Sequence, residues 1–357
     1  MPAFTARFAT DEEIARWDEL VLANPGGGNL LQSEAFIAVK RQRGWAPRYL
    51  VLESAEVTSA CLVLEKAVPL LGSLWYLIKG PDVGDAAAVV DALDAVRDLV
   101  HREKLRVFAV KIEPDLVKTP ETVSVFAAAG LVKTGNIQSN DSTALLDLRG
   151  TEQELFRRLS SRGRNAIRRA EREGCEVTFA EPGPEAYRQL FDLMVATVSA
   201  KGSMPLRDYA YYEQFWSEFA RRGQAHIAFA HENGRPSVGA FAVGYGTKGT
   251  YKDGGSLQER SIYGDSHFVQ WAMIRRLKDL GCVEYDFCGA PPADRVKDRS
   301  HPLYGVGLFK TSFTKTVTDF VGCYDLALRP RAYSAWQRGG ERVARRLHAL
   351  RSSDQYY

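Results

Sequence analysis

Residues 48–114 read RYLVLESAEVTSACLVLEKAVPLLGSLWYLIKGPDVGDAAAVVDALDAVRDLVHREKLRVFAVKIEP. Three runs rich in β-branched and aromatic residues, "RYLVLES", "TSACLVLEKAV" and "SLWYLIKG", are separated by short polar or Pro/Gly turns, the pattern of consecutive strands. "DAAAVVDALDAVRDLVHRE" then repeats apolar residues every three or four positions, which predicts an amphipathic helix, and "RVFAVKIEP" returns to strand. Strand-strand-strand-helix-strand predicts a mixed α/β sheet packed by helices.

Working outward, helical stretches "TDEEIARWDELVLA" and "SEAFIAVKRQRG" precede this block, and a helix "PETVSVFAAAG" and a strand "STALLDLR" follow it. The second half repeats the order. A basic helix "TEQELFRRLSSRGRNAIRRAEREG", a strand "EVTFAEP" and two helices lead to strands "AHIAFAHENG", "RPSVGAFAVGYG" and "KGTYKDGGS". Helix "GDSHFVQWAMIRRLKDLG", strand "VEYDFCG", short helix "GVGLFKTSF" and strand "VTDFVGCYDLAL" come next. The expected architecture is α/β (α+β): two tandem GNAT-like N-acyltransferase units with mixed sheets. The first unit is expected at residues 1–150, completed by 316–330, the second at 151–315, and a basic C-terminal helix or tail at 331–357. GNAT units usually grip acetyl-CoA with a Q/R-x-x-G-x-G/A loop whose N–H groups cradle the pyrophosphate. Neither "IKGPDVGDAAA" (78–88) nor "GSLQERSIYGDSH" (255–267) has that spacing, so another activated acyl donor is expected, with no acetyl-CoA.

With 45% hydrophobic and 25% charged residues over 357 positions, the composition is that of an ordinary globular chain large enough for two domains. No apolar run nears the roughly 18 residues of a membrane span, and "MPAFTARFATDEEIARW" lacks the apolar core of a signal peptide, so a cytoplasmic protein is expected. The five scattered cysteines form no CxxC pair and no His/Cys cluster, which predicts reduced thiols and no metal. Net charge is only +3, but seven arginines fall between Arg157 and Arg172, and seven between Arg329 and Arg351 against one acid, Glu341.

Five blocks, "LLQSEAFIAVKRQRGW" (30–45), "YLIKGPDV" (76–83), "SRGRNAIRRAEREGCEV" (161–177), "VEYDFCGAP" (283–291) and "LYGVGLFKTSF" (303–313), resemble in order those of the Fem family. These are the aminoacyl-tRNA-dependent transferases that build peptidoglycan cross-bridges. The resemblance implies transfer of an amino acid from aminoacyl-tRNA to the side-chain amine of the stem peptide of UDP-MurNAc-pentapeptide or lipid II. An aminoacyl-tRNA donor removes the need for the missing pyrophosphate loop. Some members carry a coiled-coil arm in the second unit; Glu185 to Gly223 is too short for one, so the armless FemX-like type is implied.

The family places a lysine after an aromatic residue where tRNA end and acceptor meet, and Phe309-Lys310 match it. A fixed ammonium shielded from water would stabilise the oxyanion of ester aminolysis; the plainer reading is a lysine snorkelling from a short helix. Glu113 in "KIEPDL" would accept a proton from the amine, or simply cap the turn. Lys40 and Arg207, with Tyr211 one turn on, match the acceptor's phosphate ligands, and Lys79 is a further acceptor-site candidate. Phe108 stands where some members have an acceptor-binding tyrosine. Arg158, Arg162, Arg169 and Arg172 fall near one helical stripe, broken at Gly163, suited to tRNA or pyrophosphate phosphates (Arg158, Arg162 and Arg169) or to a plain solvated face. His267 and His301 have no triad-like companions and read as structural.

In the tail, Trp336, Val343, Leu347 and Leu350 with flanking arginines suit an interfacial helix on anionic lipid, hence a peripheral contact with the inner membrane surface. A helix packed on the first unit is the other reading. Two rival functions stay open: the same chemistry on a peptide antibiotic or small amine, and a non-catalytic GNAT-like protein that binds muropeptide.

Overall fold

The computed structural model describes residues 4–138, 141–201, 206–350 and 356. The chain begins with β1 (Thr5–Phe8), α1 (Asp11–Ala15), α2 (Trp17–Leu22) and α3 (Glu34–Arg41). The block that decides the fold follows as β2 (Ala46–Glu53), β3 (Thr58–Val68), β4 (Gly72–Leu77), α4 (Ala86–Arg102) and β5 (Val107–Ile112). α5 (Pro120–Ala128) and the two-residue β6 (Val132–Lys133) come next. A second set runs β7 (Ser142–Asp147), α6 (Glu152–Arg158), α7 (Ser161–Arg172), β8 (Val177–Ala180), α8 (Pro184–Lys201) and α9 (Tyr209–Ala220). It continues with β9 (Ala225–Glu232), β10 (Arg235–Tyr245), β11 (Lys248–Ser256), α10 (Asp265–Asp279), β12 (Glu284–Gly289), α11 (Tyr304–Lys310) and β13 (Val317–Asp319). The chain then returns with β14 (Tyr324–Ala327), α12 (Pro330–Ala335) and α13 (Glu341–Ala349).

The strands make two seven-stranded sheets, ordered β1-β2-β3-β4-β5-β14-β6 and β13-β7-β12-β11-β10-β9-β8. Each is antiparallel except for one parallel pair, β4–β5 in the first and β11–β12 in the second, the pair that a helical crossover (α4, α10) connects. The expected tandem GNAT-like α/β architecture is what the chain adopts. One compact unit comprises 1–141 and 320–357, the other 142–319.

Three boundaries differ from the sequence reading. "STALLDLR" is not the last strand of the first unit: β7 pairs with β12 and β13 in the second sheet. "VTDFVGCYDLAL" is not one strand, since residues 320–323 bend through Gly322 at φ 69, sending β13 to the second sheet and β14 to the first. The arginine-rich helix is broken at Leu159–Ser160, not at Gly163: Ser160 caps α7 by accepting from the Gly163 N–H. Gly163 lies inside α7 because a Cβ there would collide with the carbonyl oxygen of Ser312 and stand 3.2 Å from its carbon. Gly163→Ala is therefore expected to cost about 1–3 kcal/mol through overpacking, read as a lower urea midpoint at unchanged m-value; an unchanged midpoint would mean the two segments part freely.

Apolar alternation places the cores. In unit 1, Leu50, Leu52, Val63, Trp75, Val110 and Ile112 from the sheet are buried against Val89, Leu93 and Val96 of α4. In unit 2, Tyr285 and Phe287 of β12 are fully buried, which turns the intervening Glu284, Asp286 and Cys288 to the other face.

Candidate functional site

In unit 1 the polar groups gather at the C-terminal ends of the parallel strands. Glu113, one residue past β5, is 1% exposed and accepts a hydrogen bond from Tyr76 Oη of β4. Its other oxygen, Oε1, has no hydrogen-bond partner among the described residues and lies 3.9 Å from Lys79 Nζ. Lys79 Nζ also pairs with Asp115 Oδ1 at 3.0 Å, over the ring of Phe320 at 5.5 Å. The turn is fixed from behind: Gln32 Nε2 donates to the carbonyls of Ile78 and Lys79, both at 2.9 Å. Burial raises the pKa of Glu113, and the ammonium of Lys79 and the Tyr76 hydroxyl pull it back. A buried carboxylate with an oxygen that accepts no hydrogen bond from the described residues and a raised pKa can hold or deprotonate an amine.

The structure thus unites Lys79 and Glu113. Lys40, at the end of α3, is buried with its ammonium 5.3 Å from the Phe36 ring centre. Phe108 is a correction: it is fully buried, 5.6 Å from the ring of Trp336, in a cluster with Val68, Leu74 and Tyr333. It is the second residue of β5 while Glu113 follows the strand's end, five residues and so roughly 17 Å along an extended strand. Phe108 is phenylalanine because it packs.

In unit 2 the site is built by strands that part. β11 and β12 pair only over Lys248–Thr250 and Glu284–Asp286; beyond that, β12 bulges and β11 follows β10. Into this region project Lys310, Lys252, Asp286 and Cys288, close enough to shift one another's protonation. Lys310 ends α11, is 8% exposed, and donates to the Gly289 carbonyl at 2.7 Å. That is its one hydrogen bond among the described residues, which leaves two of its three N–H bonds to offer. Burial lowers its pKa, and Asp286 opposes the fall. Asp286 is held by Thr143 Oγ1 and the Cys288 N–H, Asp253 by Trp216 Nε1 at 2.9 Å. Gly307 fixes α11 in place, since a Cβ there would stand 2.6 Å from the Pro291 ring. Among the described residues five non-glycine residues have φ between 49° and 67°; Lys79 and Cys288 are two of them, one at each site.

Phe309 turns away from this region into an aromatic stack, its ring 4.9 Å from His267 and 5.5 Å from Phe313. Arg207 lies over the Tyr211 ring at 4.4 Å at the start of α9. The arginines divide: Arg158 sits on α6 and donates to the Asp147 carbonyl, while Arg162 and Arg169 share the exposed face of α7 opposite Gly163, Ala166, Ile167 and Ala170. Arg169 pairs with Glu173 at 2.6 Å. No group of His, Cys, Asp and Glu suited to a metal ion occurs among the described residues.

Sequence reading missed Tyr76, Asp115, Lys252, Asp253, Asp286 and Cys288. The alternation in "VEYDFCG" carried the signal for the last pair; nothing local marks the others. His267, read as structural, is pressed between Phe309 and Phe313, its Nε2 buried with no hydrogen-bond partner among the described residues. Burial, reinforced by Arg162, lowers its pKa from 6.5 to about 4. A depressed folded pKa means the neutral ring's contribution is complete above pH 6.5 and is lost as pH falls toward 4. Between pH 7 and 4.5 the parent should therefore lose roughly 2–3 kcal/mol more than His267→Phe in urea titrations; parallel losses would mean the ring is protonated in place at no cost.

Two family models match the chain: the FemAB family over residues 12–125, and the acetyltransferase (GNAT) domain over 157–297. The chain is 22% identical over 393 aligned residues to the lipid II:glycine glycyltransferase of Staphylococcus haemolyticus, covering 88% of this chain and 92% of that protein. With the Staphylococcus aureus (strain MRSA252) protein of the same name the identity is 23% over 395 residues, with the same coverage. Among solved structures, that of FemX superposes with a TM-score of 0.77 at 21% identity, covering 92% of this chain and 99% of that one.

Proposed function

Because this chain belongs to the FemAB family, we propose that it moves an amino acid from an aminoacyl-tRNA to the side-chain amine of the stem peptide of a peptidoglycan precursor, UDP-MurNAc-pentapeptide or lipid II. The observation that carries the reading is Lys310: a buried ammonium, anchored by one bond to the Gly289 carbonyl, with two N–H bonds free for a developing negative charge.

In the reaction the amine nitrogen attacks the ester carbonyl and the carbon–oxygen bond to the terminal ribose breaks. One proton passes, net, from the amine to the departing ribose oxygen. We assign the oxyanion of the tetrahedral intermediate to Lys310, where burial makes a charge–charge contact far stronger than in water. Glu113, its pKa raised by burial, is the proton acceptor for an incoming ammonium, with Lys79 holding it in place. Lys40, and Arg207 braced on Tyr211, are assigned to the acceptor's phosphates, and Arg158, Arg162 and Arg169 to phosphates of the tRNA end. No cofactor is assigned.

The test supplies purified protein with a pool of charged tRNAs and either precursor, and reads the product by mass. The expected result is a precursor heavier by one aminoacyl residue, dependent on intact charged tRNA. Precursor binding without any such product would make this a binding protein; turnover confined to a peptide antibiotic or small amine would move the acceptor outside the cell wall.

A further inference from the structure

The two most exposed large apolar side chains among the described residues, Leu70 at 96% and Leu350 at 76%, both belong to unit 1. Neither belongs to the site above. Leu70 is the tip of the β3–β4 turn, held outward by a φ of 67°. Its neighbour Leu71 packs on the cluster of Val68, Leu74, Phe108, Tyr333 and Trp336 and accepts a hydrogen bond on its carbonyl from Arg329 Nη1 at 3.0 Å. α13 rests on the same cluster through Ala344, so turn and helix share one support.

With Ala344 facing that support, the spacing of Val343, Leu347 and Leu350 puts all three on a stripe that turns away from it, and each is exposed, at 58%, 47% and 76%. Arg342 and Arg346 run along one side of the stripe, both exposed. Trp336, expected on this stripe, is instead buried at 1% and serves as the anchor. Over residues 329–351 there are seven arginines and one acid. Arg345 pairs with Glu341 at 3.3 Å, while Arg342 and Arg346 have no ion pair among the described residues; apolar residues open to water beside such exposed cations suit a surface that is apolar below and anionic above. No helix among the described residues is long and apolar enough to cross a membrane, so the contact is with a surface.

We propose that the β3–β4 tip and α13 together form the face by which unit 1 seats on a bilayer containing anionic phospholipid. Leu70, Val343, Leu347 and Leu350 enter the headgroup boundary, and Arg342 and Arg346 lie against lipid phosphates. The partner is the lipid surface itself, so its binding needs neither tRNA nor acceptor and is measured apart from transfer.

The experiment is co-sedimentation of the full chain with vesicles of phosphatidylcholine alone or mixed with phosphatidylglycerol. The parent should partition onto the mixed vesicles, release them in high salt, and ignore phosphatidylcholine. Leu70→Asp, Leu347→Asp and the double change Arg342→Glu/Arg346→Glu should each lower partitioning at least about tenfold, given about a kilocalorie per basic residue at an anionic surface. All four positions are solvent-exposed, and circular dichroism melts check that the fold is kept. Absence of binding, equal binding to both vesicle types, or binding untouched by all three variants would overturn the proposal. So would self-association that Leu347→Asp abolishes, which would make the stripe a contact with a second copy.

Discussion

A Lys310→Met variant is expected to fold normally and to lose at least about a hundredfold in kcat for aminoacyl transfer, the scale of deleting one oxyanion donor. Methionine fills most of the lysine stem's space, so the packing of α11 is kept. Two changes in stability oppose each other: the Gly289 carbonyl loses its donor, and a buried ammonium that burial disfavours is gone. The lost hydrogen bond is worth about 1 kcal/mol and the removal of a buried charge acts against it, so the melting temperature should move little. Acceptor affinity, measured calorimetrically with UDP-MurNAc-pentapeptide, should stay near the parent's. Turnover within a few fold of the parent would show that the ammonium is only a peg for residues 289 and 310.

Phe108→Ala should behave in the opposite way. Removal of a fully buried phenylalanine that packs on Trp336 should cost about 3–5 kcal/mol, the range for aromatic-to-alanine changes in cores. It should leave kcat and acceptor affinity of the remaining folded protein unchanged. Urea unfolding gives the first quantity and kinetics at low temperature the second. If instead stability held and acceptor binding fell, the ring would belong to the acceptor site after all.

The contrast explains what could be read in advance. The tandem order of elements was legible because each sheet is built from local runs whose periodicity is strong, such as "TSACLVLEKAV" and "DAAAVVDALDAVRDLVHRE". The unit boundary was not, because whether "STALLDLR" joins one sheet or the other is decided by partners 137–177 residues away, β12 and β13, and not by its own residues. Lys310 was singled out through the match of Phe309-Lys310 to the Fem pattern, since a charge inside "GVGLFKTSF" taken alone reads as a lysine snorkelling from a short helix. Asp253 and Asp286 escaped notice because an acid in an alternating strand is ordinary until its tertiary neighbours are known. Phe108 misled for a related reason: an aromatic residue in a strand looks the same whether it faces a ligand or a tryptophan.

The return of the chain through β14 sets an order on biosynthesis. β14 lies between β5 and β6, yet it is made only after all of residues 142–319. A ribosome therefore releases the whole second unit, contiguous and with its end strands β7 and β13 already paired, while the first sheet still shows the bare edge of β5. The part of the molecule begun first is finished last. A nascent chain stopped between residues 319 and 324 carries a sheet with an open edge, a natural target for holdase chaperones and for degradation, although the inserted unit has all its residues.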